Sequence, residues 1–299
     1  MKKIIFICMS FFLSLFLGAK EKDADKLRVV TYNIWDGFEK DSVRRDKFIH
    51  FMQQTVPDIV SLNELVGFKE KDLFDLAQAY GHPYAAIVKE KGYPVGITSK
   101  YPIEVITKNV EDYWHGMLHV RTMGIDCIIT HLNPFDWKYR LKEAHQIICY
   151  IQQYQLKDYL LMGDMNSYSP IDANAMSHKD SLLETERRWD NNQKNDRNLR
   201  NGRFDYSVIS TFLSAGMEDI IGSMVQPAAK RITYPCAFSE KTSWYNKQLH
   251  ETQRRIDYIF ISSSLAPKCV DAVVYNGIDL EGISDHYPVC IDLELHSRN

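Results

Sequence analysis

Tyr159-Leu160-Leu161-Met162-Gly163-Asp164-Met165-Asn166 is a short apolar run that ends abruptly on an acid and an amide. Its length and its bulky residues suit an extended strand, and the residues are apolar on both faces, as in a strand buried between a second sheet and a covering helix. Arg28 to Trp35, Asp58 to Glu64, Ile125 to His131, Ile256 to Ser262 and Pro288 to Leu295 read the same way. Each carries polar residues at an end: Asn33 in the first, Glu64 closing the second, His131 and then Asn133 closing the third. Asp257 stands near the start of the run from Ile256, and Asp285 and His286 lie just before the run from Pro288. Acids, amides and histidines therefore collect where strands meet loops, which is where a sheet can hold reacting groups rigidly beside a cleft.

Between these runs lie segments with helical spacing. Leu73, Leu76, Ala77 and Tyr80 form one apolar face, and Leu141, Ala144, Ile148 and Ile151 form another. Alternating strands and helices predict an α/β layered domain. Tyr93 to Gly96, Thr98 to Pro102 and Gly116 to Arg121 read as turns and short hairpin strands, so an antiparallel component is expected as well. Asp205 to Ala215 is helix-like. Glu184 to Arg203, rich in Arg, Lys, Asn and Asp, reads as an exposed loop or short helices; a substrate-facing role for its arginines and Trp189 is the sharper alternative.

The first residues have the form of a secretory signal peptide: Lys2 and Lys3, an apolar block from Ile4 to Leu17, then Gly18 and Ala19. The block is shorter than the ~20 residues of a spanning helix, so cleavage near Ala19 is expected rather than a retained anchor. The expected organisation is a leader over residues 1–19 and one domain over residues 27–296, exported to the periplasm or the medium, with no membrane span after cleavage. The formal charge is −3 with the leader's lysines included, which argues against tight non-specific binding to a nucleic-acid backbone. Of six cysteines one falls in the leader. The remaining five lack zinc-type spacing, and Cys127 and Cys290 read as small core residues.

The polar inventory of the strand ends is rich in oxygen and free of thiols. Glu64, Asp164, Asp257 and Asp285 with Asn33 and Asn166 suit a hard cation such as Mg²⁺ better than Zn²⁺. Taken singly, each residue has a bland explanation as a turn residue, a helix-start acid or a solvated loop. Taken together, they have none.

Six segments in order, Thr31-Tyr32-Asn33-Ile34-Trp35, Leu62-Asn63-Glu64-Leu65, Thr130-His131-Leu132-Asn133, Gly163-Asp164-Met165-Asn166, Arg255-Ile256-Asp257-Tyr258-Ile259 and Ser284-Asp285-His286-Tyr287-Pro288, resemble the endonuclease/exonuclease/phosphatase superfamily. The resemblance runs from about Arg28 to Leu295. It implies a four-layer α/β/β/α sandwich of two mixed β-sheets with outer helices, and a hydrolase of phosphate esters that uses an activated water and Mg²⁺, with Mn²⁺ as a substitute. Carried over position by position, Glu64 resembles the principal metal ligand, with Asn33 and Asp285 close to the metal. Asp164 resembles the residue that orients or deprotonates water, and Asn166 a donor to a phosphoryl oxygen. Asp257 and His286 resemble a carboxylate–imidazole dyad, and His131 the histidine of one branch. Where members commonly place Gln before the metal-binding Glu, this chain has Asn63, whose shorter amide must make its hydrogen bonds differently.

The substrate class stays open between a small phosphate ester, a lipid headgroup and nucleic acid, because one fold serves many reactions. No protein partner is implied. A secreted nuclease is the nearest alternative, and a catalytically silent binding module a more distant one. His115 and His145 are read as structural and left outside the site, and Arg140 and Arg255 as partners of surface acids.

Overall fold

The computed structural model describes residues 26–236, 252–277, 280 and 282–295. The expected leader lies outside them. The strands are β1 (Leu27–Asn33), β2 (Ile59–Asn63), β3 (Tyr84–Ile87), β4 (Gly96–Ser99), β5 (Glu104–Asn109), β6 (Met117–Thr122), β7 (Ile125–Thr130), β8 (Tyr159–Asp164), β9 (Leu199–Arg200), β10 (Arg203–Phe204), β11 (Met217–Asp219), β12 (Asp257–Ser262), β13 (Cys269–Val274) and β14 (Val289–Leu293). The helices are α1 (Ser42–Thr55), α2 (Glu70–Ala79), α3 (Trp137–Gln153), α4 (Ala173–Met176), α5 (Asp180–Asn192), α6 (Ser207–Ser214) and α7 (Ile220–Met224). None among the described residues is long and apolar enough to cross a membrane.

Two mixed sheets form, in the orders β13-β14-β1-β2-β4-β3 and β11-β12-β8-β7-β6-β5. Each is built around one parallel pair, β1 with β2 and β7 with β8. Each parallel pair is flanked by an antiparallel return strand, β14 beside β1 and β12 beside β8. The sheets pack face to face, with β1 and β2 against β8 and β12. Alternation along the second sheet explains its doubly apolar strands. Leu160, Met162, Ile259, Ile261, Cys127 and Ile129 point into the core shared with the first sheet. Leu161, Tyr258, Phe260 and Ile128 point the other way, onto Ala144 and Ile147 of α3 and Val208, Ile209 and Phe212 of α6. On the other side Phe48, Phe51 and Met52 of α1 and Leu73, Leu76 and Ala77 of α2 cover the first sheet. The expected four-layer sandwich is therefore present.

Caps set the helix starts that border the site. Asp41 accepts from the Val43 and Arg44 amides to open α1, and Asp136 accepts from the Lys138 amide to open α3. The buried face of α3 is Trp137, Arg140, Glu143, Ala144, Ile147 and Ile151, while Leu141 and Ile148 are only half-buried. The face is thus rotated from the expected one, because two charged side chains go inward where loops supply partners for them.

Other expectations are refined or corrected. The segment from Glu184 to Arg203 is mostly exposed as expected, and consists of the end of α5, a loop and the β9–β10 hairpin. Its Glu186 is buried and held by Arg197 and the Tyr168 hydroxyl. Arg255 does not meet a surface acid; it is buried between Asp219 and Asp172, with contacts of 2.6–2.8 Å. Arg140 is also buried, donating to Ser167 Oγ, the carbonyls of Asn133 and Arg197, and Asn198 Oδ1. An arginine whose guanidinium finds carbonyl, hydroxyl or carboxylate partners can be buried where sequence composition alone suggests a surface. Cys127 and Cys290 are buried as expected, and Cys236 joins them.

At Gly163 the sheet tolerates no side chain. Its φ is 137°, and a Cβ there would lie 1.9 Å from the Thr130 carbonyl oxygen on β7. Gly163→Ala is expected to destabilise the fold by about 3 kcal/mol through strain and overpacking. A urea-unfolding midpoint equal to that of the parent chain would contradict this reading.

Candidate active site

Strand direction brings the polar ends together. Asn33 and Asn63 end the parallel strands β1 and β2, Thr130 and Asp164 end β7 and β8, and the return strands β12 and β14 begin at the same edge. Asp257 is thus paired in register with Asp164. Asn63 reaches across the sandwich: its Nδ2 donates to the Thr130 carbonyl at 2.9 Å, and its Oδ1 accepts from the Asp164 amide at 3.2 Å. The short amide expected to bond differently therefore ties the two sheets at the rim of the site.

The next residue, Glu64, takes a left-handed backbone at φ 60°, unusual for a residue with a side chain. That turn brings its carboxylate back over the strand end, where Asn33 Nδ2 donates to Oε1 at 3.1 Å and the Asp36 amide to Oε2 at 3.0 Å. Asn33 Nδ2 also lies 3.2 Å from Asp164 Oδ2, so one amide touches carboxylates of both sheets. Asn166 is left-handed too, at φ 49°. It donates its backbone amide to Asp164 Oδ1 and its side-chain amide to the Leu132 carbonyl.

His286 Nδ1 lies 2.9 Å from Asp257 Oδ2. Its Nε2 is 3.8 Å from Asp164 Oδ2 and 3.9 Å from Asp285 Oδ1. His131 Nε2 is 3.5 Å from the same Asp164 oxygen, while its Nδ1 is buried with no hydrogen-bond partner. The electrostatics separate the two imidazoles. Burial works against a charge on His286, but Asp257, Asp285 and Asp164 outweigh it and lift the group to about 10. Burial, then the neighbouring His115 and His286, holds His131 well below its ordinary value, so that ring is neutral. Burial and then Asp285 push Glu64 up to about 6, and burial and then Asp257 push Asp164 upward. Crowded carboxylates of this kind are short of positive charge.

A cleft of about 630 Å³ opens over the cluster. Glu64, His131, Asp164, Asn166, Asp285 and His286 line it, while Asn33 and Asp257 lie buried beneath, so all eight expected residues gather at one place. The sequence profile of the Endonuclease/Exonuclease/phosphatase family matches residues 30–286. The chain belongs to this family. Family members are hydrolases that act on phosphoesters and generally depend on a divalent metal. A comparison with curated proteins returned no match.

Among solved structures, an AP endonuclease from Archaeoglobus fulgidus is similar at 21% identity and a TM-score of 0.66, over 90% of this chain and 100% of the other. The 3′ phosphatase NExo from Neisseria, bound to a product DNA hairpin, is 18% identical over 89% and 99%, with a TM-score of 0.65. A humanized D. rerio TDP2 is 16% identical over 90% and 99%, at 0.56. At these identities the likeness concerns the fold.

Against this family's polar rim, the structure adds residues that sequence reasoning passed over. His115, read as structural, is buried, packs on His131 with ring centroids 4.4 Å apart and lines the cleft; a lone histidine in a hairpin gave no sign of this position. His145 is exposed on α3, away from the cleft, as expected. Tyr93 also lines the cleft, so its hairpin approaches the site as well as turning. Thr233 Oγ1 accepts from the Ile256 and Asp257 amides, and its carbonyl from the Tyr287 amide, which fixes the dyad's two loops to each other. Tyr234 sets its ring 4.7 Å from His286.

Arg44 clamps the loops bearing Asn33 and Asp285. It donates to the carbonyls of Ile34, Trp35 and Ile283, with its guanidinium 4.8 Å from the Trp35 ring. The loop it holds runs left-handed from Trp35 to Lys40, a conformation that costs each L-residue roughly 1–2 kcal/mol. Such a stretch persists only when its surroundings determine it.

The donor set fits a hard cation on its chemistry: carboxylate and amide oxygens with no thiol, and a Glu64 carboxylate held up by its neighbour Asp285. Asp164, Asp257 and His286 also lie close enough to share an ion, though Asp257 and His286 already bond each other. Because the folded Glu64 holds its proton more tightly than the ordinary carboxylate, its contribution to stability is present below about pH 4.5 and lost as pH rises through about 6. At neutral pH, Mg²⁺ should therefore raise the thermal midpoint by several degrees. Glu64→Gln should unfold no earlier than the parent without metal and should show little shift with it. A metal-induced shift undiminished in that variant would remove Glu64 from the ligand set.

Proposed function

We propose that this chain is an exported, Mg²⁺-dependent phosphodiesterase or phosphatase that uses water as nucleophile. The observation that carries the reading is the single contact set in which Asn33 bridges Glu64 and Asp164 while Asp257 holds His286 beside that same Asp164. Asn33, Glu64 and Asp285 would hold the cation, Mg²⁺ or its substitute Mn²⁺. When bound it offsets negative charge growing on the phosphoryl oxygens.

The chain's own groups divide the remaining work. Asp164 orients the attacking water and accepts its proton. Asn166 spends one amide N–H on the Leu132 carbonyl, which leaves a second donor for a phosphoryl oxygen. Asp257 fixes the His286 ring through Nδ1, so that proton exchange with the leaving oxygen falls to Nε2. His131, held neutral, donates a hydrogen bond without adding a charge.

A nuclease is the second reading, favoured by the DNA-directed names of two similar structures. Against it stand the net charge of −3 and the pairing of Arg197, the residue of the basic segment that lines the cleft, with Glu186.

Hydrolysis of p-nitrophenyl phosphate, bis-p-nitrophenyl phosphate, sphingomyelin, inositol phosphates and supercoiled plasmid, with Mg²⁺ or EDTA, separates these readings. Glu64→Gln should abolish metal-dependent turnover, and His286→Ala should lower kcat by about 10²–10⁴-fold. Full activity in both variants would sink the assignment. Export is tested separately: the intact mass of protein recovered outside the cytoplasm should correspond to a chain starting just after Ala19, and a chain retaining Met1 would refute cleavage.

A further inference from the structure

One wall of the cleft is built from rings that the chemistry above does not use. Trp114 and Phe135 are each 45% exposed, their centroids 5.9 Å apart at an interplanar angle of 78°. Trp114 lies 6.4 Å from His115, which packs on His131, so the rings lead directly to the reacting cluster. On the outer side Phe135 is parallel to Trp189 at 6.5 Å, and the Arg197 guanidinium lies 4.2 Å from the Trp189 ring centroid. The wall is held in place from behind. Buried Glu143 accepts from the Trp114 amide through one oxygen and from the Asn133 amide through the other, each at 2.8 Å, tying together the loops that carry Trp114 and Phe135.

We infer that Trp114 and Phe135 form a ring-stacking subsite, and that the ester hydrolysed is a small molecule whose organic group carries a planar aromatic ring. The inference rests on the phosphoesterase reading and narrows its substrate. Two partly exposed rings fixed beside a polar cluster supply flat apolar area with little further ordering on binding.

Two other occupants fit less well. An acyl chain needs an aliphatic trough, but apart from Pro134 the cleft offers Ile256 as its aliphatic lining residue among those described. A polynucleotide needs a long run of cations, but the basic residues lining the cleft among those described are Lys89, Arg197 and Arg254, of which Arg197 is paired with Glu186 and Arg254 lies over the Tyr234 ring, and the chain carries a net charge of −3. The cleft, at about 630 Å³, is of small-molecule size.

The test compares benzyl with ethyl esters of phosphate, as monoesters and as diesters, because the two leaving alcohols differ little in acidity. Wild type should favour the benzyl ester in kcat/KM by about ten-fold or more, as stacking on an aromatic side chain does for a base. Trp114→Ala, Phe135→Ala and the double variant should bring the benzyl-to-ethyl ratio toward one, chiefly through KM. Trp114→Phe should restore part of it, and His145→Ala, outside the cleft, should keep it whole. A wild-type ratio near one, or a ratio unmoved in the double variant, overturns the subsite. If no ester is hydrolysed, calorimetric titration of benzyl and ethyl phosphate decides. Tighter benzyl binding that Trp114→Ala abolishes keeps the subsite and discards the phosphoesterase reading, whereas equal binding discards the subsite.

Discussion

The carboxamide of Asn63 is the contact on which the site geometry depends. It ends β2 in one sheet and is hydrogen-bonded to Thr130 and Asp164 in the other. Glu64 follows Asn63, His131 follows Thr130, and Asp164 donates its amide to Asn63, so one buried carboxamide sets how far apart groups from the two sheets stand. Each hydrogen bond contributes only about 1 kcal/mol net to stability. Its larger effect is geometric, since a slip between the sheets would leave a buried donor and acceptor unpaired. Gly163 belongs to the same device, because its missing side chain admits the Thr130 carbonyl and the Asn63 amide to the edge of β8.

Around this tie the backbone is bent against its preferences. Glu64, Asn166 and the loop from Trp35 to Lys40 are left-handed, and all of them border the cleft. Regular strands would carry these side chains to alternate faces of the sheets; left-handed turns redirect them over the strand ends instead. The cost is met by groups remote in sequence, chiefly Arg44 on the loop carbonyls and Thr233 between the strands of the dyad. Rigidity of this kind suits a site in which like charges must be held close until a cation joins them.

Charge distribution follows the same economy. The buried arginines Arg140 and Arg255 are saturated by carbonyls and acids near the site, so they brace loops. In the cleft, burial first and neighbouring carboxylates second push Glu64 and Asp164 upward, while Asp257, Asp285 and Asp164 together favour the charged form of His286.

The strand order of residues around Asp164, the alternation of strands and helices, and the six polar strand ends were all readable from residue type and spacing, because burial on both faces and the 3.6-residue period are local properties. That sufficed for an α/β layered domain with polar strand ends; the two-sheet sandwich and the eight residues of the site came from the resemblance to the family. The expected leader over residues 1–19 lies outside the described residues. What only the tertiary structure decided was which residues from distant loops meet. His115 came to lie on His131, Arg140 and Arg255 were drawn inside, and the charged stretch after Glu184 became a helix and hairpin around a buried Glu186. Each of these depends on partners beyond the local helix or strand period, such as His131 for His115, Arg197 for Glu186 and Asp172 for Arg255, and no local periodicity records that.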